Sequence, residues 1–146
     1  MNAGLKHFIK NLELVDSGIG VLGVVIILGA AIFVQFFYGE QPCPLCLLQR
    51  AAFISVGLAL LMNLRYKNRV AHWALAIISS VAGIAVSIRQ ILLHITSDIG
   101  FGRSVFGLHM YTWCFIAFGL TILGSAFMLL IYPEKKPTEF DTAYNE

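Results

Sequence analysis

The chain has 146 residues, of which 58% are hydrophobic and 12% charged. A soluble domain of this length carries roughly twice that charge, so a soluble fold is excluded and the apolar runs leave no space among these residues for a second domain. The net charge of +2, with no basic stripe carrying interleaved aromatics, sets nucleic-acid binding aside.

At the N-terminus Leu5, Phe8, Ile9, Leu12 and Val15 recur at helical spacing, with Lys6 and Lys10 elsewhere. This predicts a short amphipathic helix over residues 1–17 lying on the membrane surface. A hydrocarbon core needs about 20 apolar residues per helix, and four runs meet that length: 18–38, 45–64, 71–95 and 111–132. The first is too long for a signal-peptide core and has no convincing small-residue cleavage site after it, so it is expected to remain as a span. It opens on Gly18, Gly20 and Gly23 in G-x-G-x-x-G spacing. No strand precedes this motif, so a dinucleotide site lacks its context and close helix packing is the expectation. Residues 133–146 read as a polar tail. The fold class is therefore an all-α membrane protein, a four-transmembrane-helix bundle forming a single domain over residues 1–146. Strands of alternating polarity, the mark of a barrel, are absent.

Charge orients the bundle. Lys6, Lys10, Arg65, Lys67, Arg69, Lys135 and Lys136, seven of the ten basic residues, fall on one side, which the positive-inside rule makes cytoplasmic. Both termini are then cytoplasmic, and the loops near Glu40 and near residues 98–107 face outward.

Three cysteines are an odd number and exclude a closed disulfide framework. Cys43 and Cys46 form a C-x-x-C pair at the outer mouth of the second span, where disulfides persist. Pro44 suits the first helical position, which makes Cys43 the N-cap and Cys46 the third helical residue. The unpaired N–H groups and the dipole at a helix start favour an anion. A thiolate is both nucleophile and leaving group in disulfide exchange. Arg50 follows Cys46 by four residues on the same helix face, and Gln49 is one step before it. In the third span the small residues Ser79, Gly83 and Ser87 mark a packing face that continues to Gln90 and His94, beside Arg89. All reach a similar depth below the outer surface. Cations and hydrogen-bond donors in an apolar site fit a quinone, whose oxygens become anionic on reduction.

Blander readings stand beside these. The pair is a zinc half-site only if four ligands assemble; His94 and His109 are the candidates, neither has a knuckle spacing, and no metal is assigned. A purely structural disulfide would close a tiny loop. Arg50 and Arg89 can snorkel to headgroups, and Gln90 and His94 can simply bond neighbouring helices. Tyr38, Tyr111 and Trp113 are expected in the interfacial aromatic belt, and Cys114 is expected to act as a small hydrophobe in the fourth span.

With these residues in view, the chain resembles the disulfide bond formation protein B (DsbB) family. The stretch from Pro42 to Arg50 (PCPLCLLQR) carries most of the likeness, with Ile88–Leu93 (IRQILL) and Phe106–Trp113 (FGLHMYTW) in support. The resemblance implies an enzyme of the bacterial inner membrane that reoxidises a periplasmic thioredoxin-like thiol oxidase of the DsbA type and passes two electrons to ubiquinone or menaquinone. It implies that Cys46 faces the quinone, that Cys43 is the more exposed partner, and that Arg50 supports the quinone. Arg89 carries over less directly, and Gln49 stands where relatives often have an acid. Relatives carry a second cysteine pair between the third and fourth spans. Here residues 96–110 contain no cysteine, and Ile99, Phe101, Val105 and Phe106 are expected on the membrane surface. The reading is thus a shortened, one-pair form. Its alternatives are a thiol oxidase or relay dedicated to one partner, and a non-catalytic membrane adaptor whose cysteine pair is structural or binds zinc.

Overall fold

The computed structural model describes residues 3–39, 41, 43–66, 69–95, 104–105 and 107–131. Four helices follow one another: α1 (Ala3–Tyr38), α2 (Pro44–Tyr66), α3 (Val70–His94) and α4 (Met110–Ile131). All four are long and apolar enough to cross a membrane. Between α3 and α4 lies a minimal antiparallel ribbon, β1 (Ser104–Val105) with β2 (Leu108–His109). Gly107 in its turn has φ of 78°, a left-handed conformation that glycine adopts without a Cβ penalty. Sequence periodicity gives no sign of a ribbon this short.

The expected spans coincide with the helices to within a few residues except at the N-terminus. There α1 runs unbroken through the junction at Ser17–Gly18. Each of the glycines here, Gly18, Gly20 and Gly23, costs a helix only about 1 kcal/mol, and no proline interrupts the run. At 36 residues and 1.5 Å per residue, α1 is about 54 Å long, well over the roughly 30 Å hydrocarbon thickness. Ile9 is buried and Leu12 packs against the core cluster, whereas Leu5, Phe8 and Val15 are exposed. The amphipathic stretch therefore uses part of its apolar face inside the bundle.

α3 packs along both α2 and α4, while α1 lies mainly along α2 and approaches α4 where the Asp16 carboxylate lies beside Gly124. Of the three glycines that open the first span, only Gly20 makes a close contact, with Leu60; Gly18 and Gly23 face open space. The core joins Val24, Phe53, Val56, Leu60, Trp73, Phe118 and Met128. Phe53 and Phe118 stack at 4.0 Å, and the Phe118 ring lies directly against Gly83. A methyl group at Gly83 would meet that ring, which already leans on Phe53. Gly83→Ala is expected to destabilise the bundle by about 1–3 kcal/mol through overpacking, read from unfolding in mixed micelles. An unchanged midpoint would show that Phe118 gives way.

The end of the bundle remote from Cys43 and Cys46 is joined by a buried hydrogen bond, 2.9 Å, between His72 Nδ1 and Asn63 Oδ1. An amide oxygen only accepts, so His72 donates from Nδ1. This bond closes the α2–α3 connection across the short link between them. The expectations for Glu40, Lys67, residues 96–103, Phe106 and the 133–146 tail lie outside the described residues, as do those for the side chains of Lys6 and Val105.

Candidate functional site

The end of α1, the start of α2, the end of α3 and the start of α4 meet at one end of the bundle. There Cys43 and Cys46 form a disulfide with Cα atoms 5.1 Å apart. The local geometry follows from Pro44 at the first helical position. The Leu47 N–H donates to the Cys43 carbonyl at 3.1 Å, closing the first turn, and the Cys46 N–H donates to Cys43 Sγ at 3.1 Å. Cys43 thus caps α2 with its sulfur, where serine or aspartate would use an oxygen. Both cysteines are partly buried.

Gln90 from α3 lies against the pair. Its side chain is 2% exposed, and its Nε2 is 3.6 Å from Cys43 Sγ and 3.5 Å from Cys46 Sγ. Disulfide sulfurs carry no hydrogens, so the NH2 edge of the amide is the one that faces them attractively. Gln90 Oε1 is buried with no partner among the described residues. One turn deeper, Gln49 is buried, and its Nε2 donates to Ser87 Oγ at 3.0 Å. Ser87 in turn donates to the Gly83 carbonyl at 2.9 Å. Gln49 is thereby engaged in joining α2 to α3.

Arg50 turns to the other neighbour. Its Nη1 donates to Gln35 Oε1 at 2.8 Å and its Nη2 to the Ala31 carbonyl at 3.2 Å. The guanidinium is fixed by α1, which sequence spacing did not reveal. Gln35 was missed altogether, although a lone amide near the end of an apolar span is itself a signal of function. His94 Nδ1 donates to the Gln90 carbonyl at 2.8 Å, and its ring stacks on Tyr111. His109, delivered by β2, stacks on the same tyrosine at 5.2 Å. Tyr111 is therefore buried rather than part of an outer aromatic belt, while Tyr38 and Trp113 are exposed as expected. Arg89 is exposed and joins none of these bonds. Cys114 is a free thiol packed against the core cluster.

The structure thus brings Cys43, Cys46 and Gln90 together, sets His94 beside them, and places Gln49 and Arg50 one turn below on opposite helix contacts. Among the described residues no group of three or more His, Cys, Asp or Glu side chains gathers to hold a metal. A disulfide capping an apolar helix, with a fixed cation one turn along, can exchange with an incoming thiolate and stabilise the sulfur that leaves.

Fold and site together define a multi-pass membrane protein with a C-x-x-C disulfide at one end of a four-helix bundle. The sequence model of one family, disulfide bond formation protein DsbB, matches residues 17–101, and the chain belongs to that family. Disulfide bond formation protein B of Cupriavidus necator is 41% identical over 94 residues, covering 64% of this chain and 53% of that protein. The protein of the same name from Cupriavidus pinatubonensis is 43% identical over 68 residues, 46% of this chain and 42% of the relative. That of Chromobacterium violaceum is 41% identical over 70 residues, 45% and 42% respectively. The chain spans about half the length of these curated relatives. No solved structure matches.

Proposed function

We propose that the protein is a thiol–quinone oxidoreductase. It accepts two electrons from the dithiol of a soluble thioredoxin-like protein of the DsbA type through Cys43 and Cys46, and passes them to a membrane quinone, ubiquinone or menaquinone. The observation that carries this reading is the Cys43–Cys46 disulfide with Arg50 fixed one turn further along the same helix. The site lies on the periplasmic side of a bacterial inner membrane, with both termini cytoplasmic, as the bias of seven basic residues to the other side supports. α1 is longer than the membrane is thick, so its first turns project past the inner surface.

The residues present fit a quinone. Arg50 has N–H groups beyond the two bound by Gln35 and Ala31, and the exposed Leu47, one turn before it on α2, supplies an apolar wall. Such a wall suits an apolar ring and tail, and the donors suit carbonyl oxygens. Arg50 would hold the group, with Gln49 of α2 and Arg89 and His94 of α3 as further contacts. When bound, a quinone supplies a two-electron sink.

The chain's own residues do the sulfur chemistry. The partner's thiolate attacks Cys43 Sγ, the disulfide breaks, and Cys46 leaves as a thiolate. The helix start favours an anion on either sulfur, and the Arg50 charge one turn away favours it on Cys46. The partner's second thiolate then attacks the mixed disulfide, which releases an oxidised partner and leaves both sulfurs reduced. No cysteine lies between residues 96 and 110, so the partner meets the Cys43–Cys46 pair directly.

Purified protein in liposomes should oxidise a reduced thioredoxin-like partner when quinone is present and stop when it is left out. Equal oxidation in both would end the quinone reading. The missing second cysteine pair favours one other possibility, a thiol oxidase dedicated to a single partner. A single mixed disulfide trapped from cells would identify that case. A structural or zinc-binding adaptor would instead show stoichiometric zinc and no turnover.

A further inference from the structure

Among the described polar side chains of the site, Gln90 is distinguished by a fully buried amide oxygen that has no hydrogen-bond partner. Its Nε2 faces both sulfurs at 3.5 and 3.6 Å. Its Oε1 is sealed from solvent with no donor among the described residues, in a side chain that is 2% exposed. A buried acceptor without a partner is costly. A residue that served only to join α2 to α3 would be expected to use both of its polar capacities, as the Ser87 hydroxyl does by accepting from Gln49 and donating to the Gly83 carbonyl.

Reduction of the disulfide changes what the sulfurs offer. An oxidised pair has two weak acceptors and no donor. A half-protonated reduced pair has one strong acceptor, the thiolate, and one donor, the S–H. An amide carries one group complementary to each.

We propose that Gln90 is a catalytic residue of the sulfur pair, whose Nε2–H donates to the Cys46 thiolate and whose Oε1 accepts the S–H of Cys43 once the disulfide opens. The role rests on the pair being redox-active, as argued above, and assigns Gln90 to the sulfurs rather than to the quinone. The bookkeeping closes. A dithiol reductant gives two electrons and two protons; the Cys43–Cys46 bond breaks, one proton goes to Cys43, the other to water, and Cys46 remains a thiolate while the reductant becomes a disulfide. The oxygen left without a partner in the oxidised protein gains one only on reduction, so the amide favours the reduced pair and makes the disulfide a stronger oxidant of its partner. It also stabilises the leaving sulfur during the partner's attack.

The test is an equilibrium measurement on quinone-free protein in detergent, poised against a dithiol/disulfide buffer. A companion titration follows the ultraviolet absorbance of the thiolate with pH. Gln90→Met keeps length and apolar bulk but removes donor and acceptor. Loss of a hydrogen bond to an ionised sulfur should lower the equilibrium constant for reduction about tenfold, which is about 30 mV for a two-electron couple, and should move thiolate formation to higher pH. Wild-type values for both readouts in Gln90→Met would overturn the assignment. If that variant fails to fold by circular dichroism, Gln90→Leu carries the same test. A helix-joining role alone would change stability but leave the thiolate titration in place. Because quinone is absent, this result is independent of whether wild-type protein reduces quinone in liposomes.

Discussion

Cys46→Ser is expected to abolish turnover and to leave the soluble partner covalently attached at Cys43, whereas Cys43→Ser abolishes turnover without a stable adduct. The asymmetry follows from where each sulfur sits along α2 relative to Arg50. Cys43 precedes the helix and holds its sulfur against the Cys46 N–H at 3.1 Å, while Cys46 lies within the first turn, on the Arg50 face of the helix. Attack at Cys43 expels the sulfur one turn from Arg50, whose charge stabilises it as an anion and makes it the better leaving group. Attack at Cys46 would expel Cys43, one turn further from the arginine. With serine at position 46 the free Cys43 thiol can join the partner's disulfide, and the pair has no second sulfur left to resolve the adduct. Non-reducing gels of each variant mixed with oxidised partner would read this directly. An adduct on Cys43→Ser and none on Cys46→Ser would reverse the two roles. Wild-type turnover in either variant would remove the disulfide from the mechanism.

The parts of this arrangement that sequence foretold are those fixed by local rules. Four apolar runs are long enough for a bilayer, and their ends fall where the helices end. Pro44 sets the first turn of α2, so the cap made by Cys43 could be anticipated from two residues. The stripe of Ser79, Gly83 and Ser87 pointed α3 inward, and each is buried, as is Gln90 further along. Features set by tertiary contact were not legible. Arg50 shares a helix face with Cys46, yet its hydrogen bonds run to α1, because Gln35 and the Ala31 carbonyl lie within reach. Tyr111 has the composition of an interfacial anchor but turns inward between histidines supplied by α3 and the ribbon. The surface helix expected over residues 1–17 merges with the first span, since hydrophobic pattern marks a change of environment and only a breaker marks an end.

Removing the Arg50 charge should slow quinone reduction far more than it slows attack by the partner. Arg50→Met is expected to lower the rate of electron delivery to quinone by about 10²-fold, the usual scale for deleting one preorganised donor at a developing negative charge. Reduction of Cys43–Cys46 by partner should fall much less, since the helix start remains. The structure adds a second, weaker variant to this argument. Gln35→Leu leaves the arginine charged but removes the 2.8 Å acceptor that holds its Nη1, while the 3.2 Å bond from Nη2 to the Ala31 carbonyl persists. Loss of positioning without loss of charge should cost about tenfold, a smaller share of the same preorganisation. Arg50→Lys keeps a point charge but lacks the planar fork that spans Gln35 and the backbone, so it should resemble Gln35→Leu more than Arg50→Met. Rapid mixing of pre-reduced protein with a short-chain quinone separates this step from partner oxidation. If Gln35→Leu equals wild type while Arg50→Met is slow, charge alone suffices and the tether to α1 has no part in electron delivery. If both equal wild type, the acceptor sits elsewhere in the bundle.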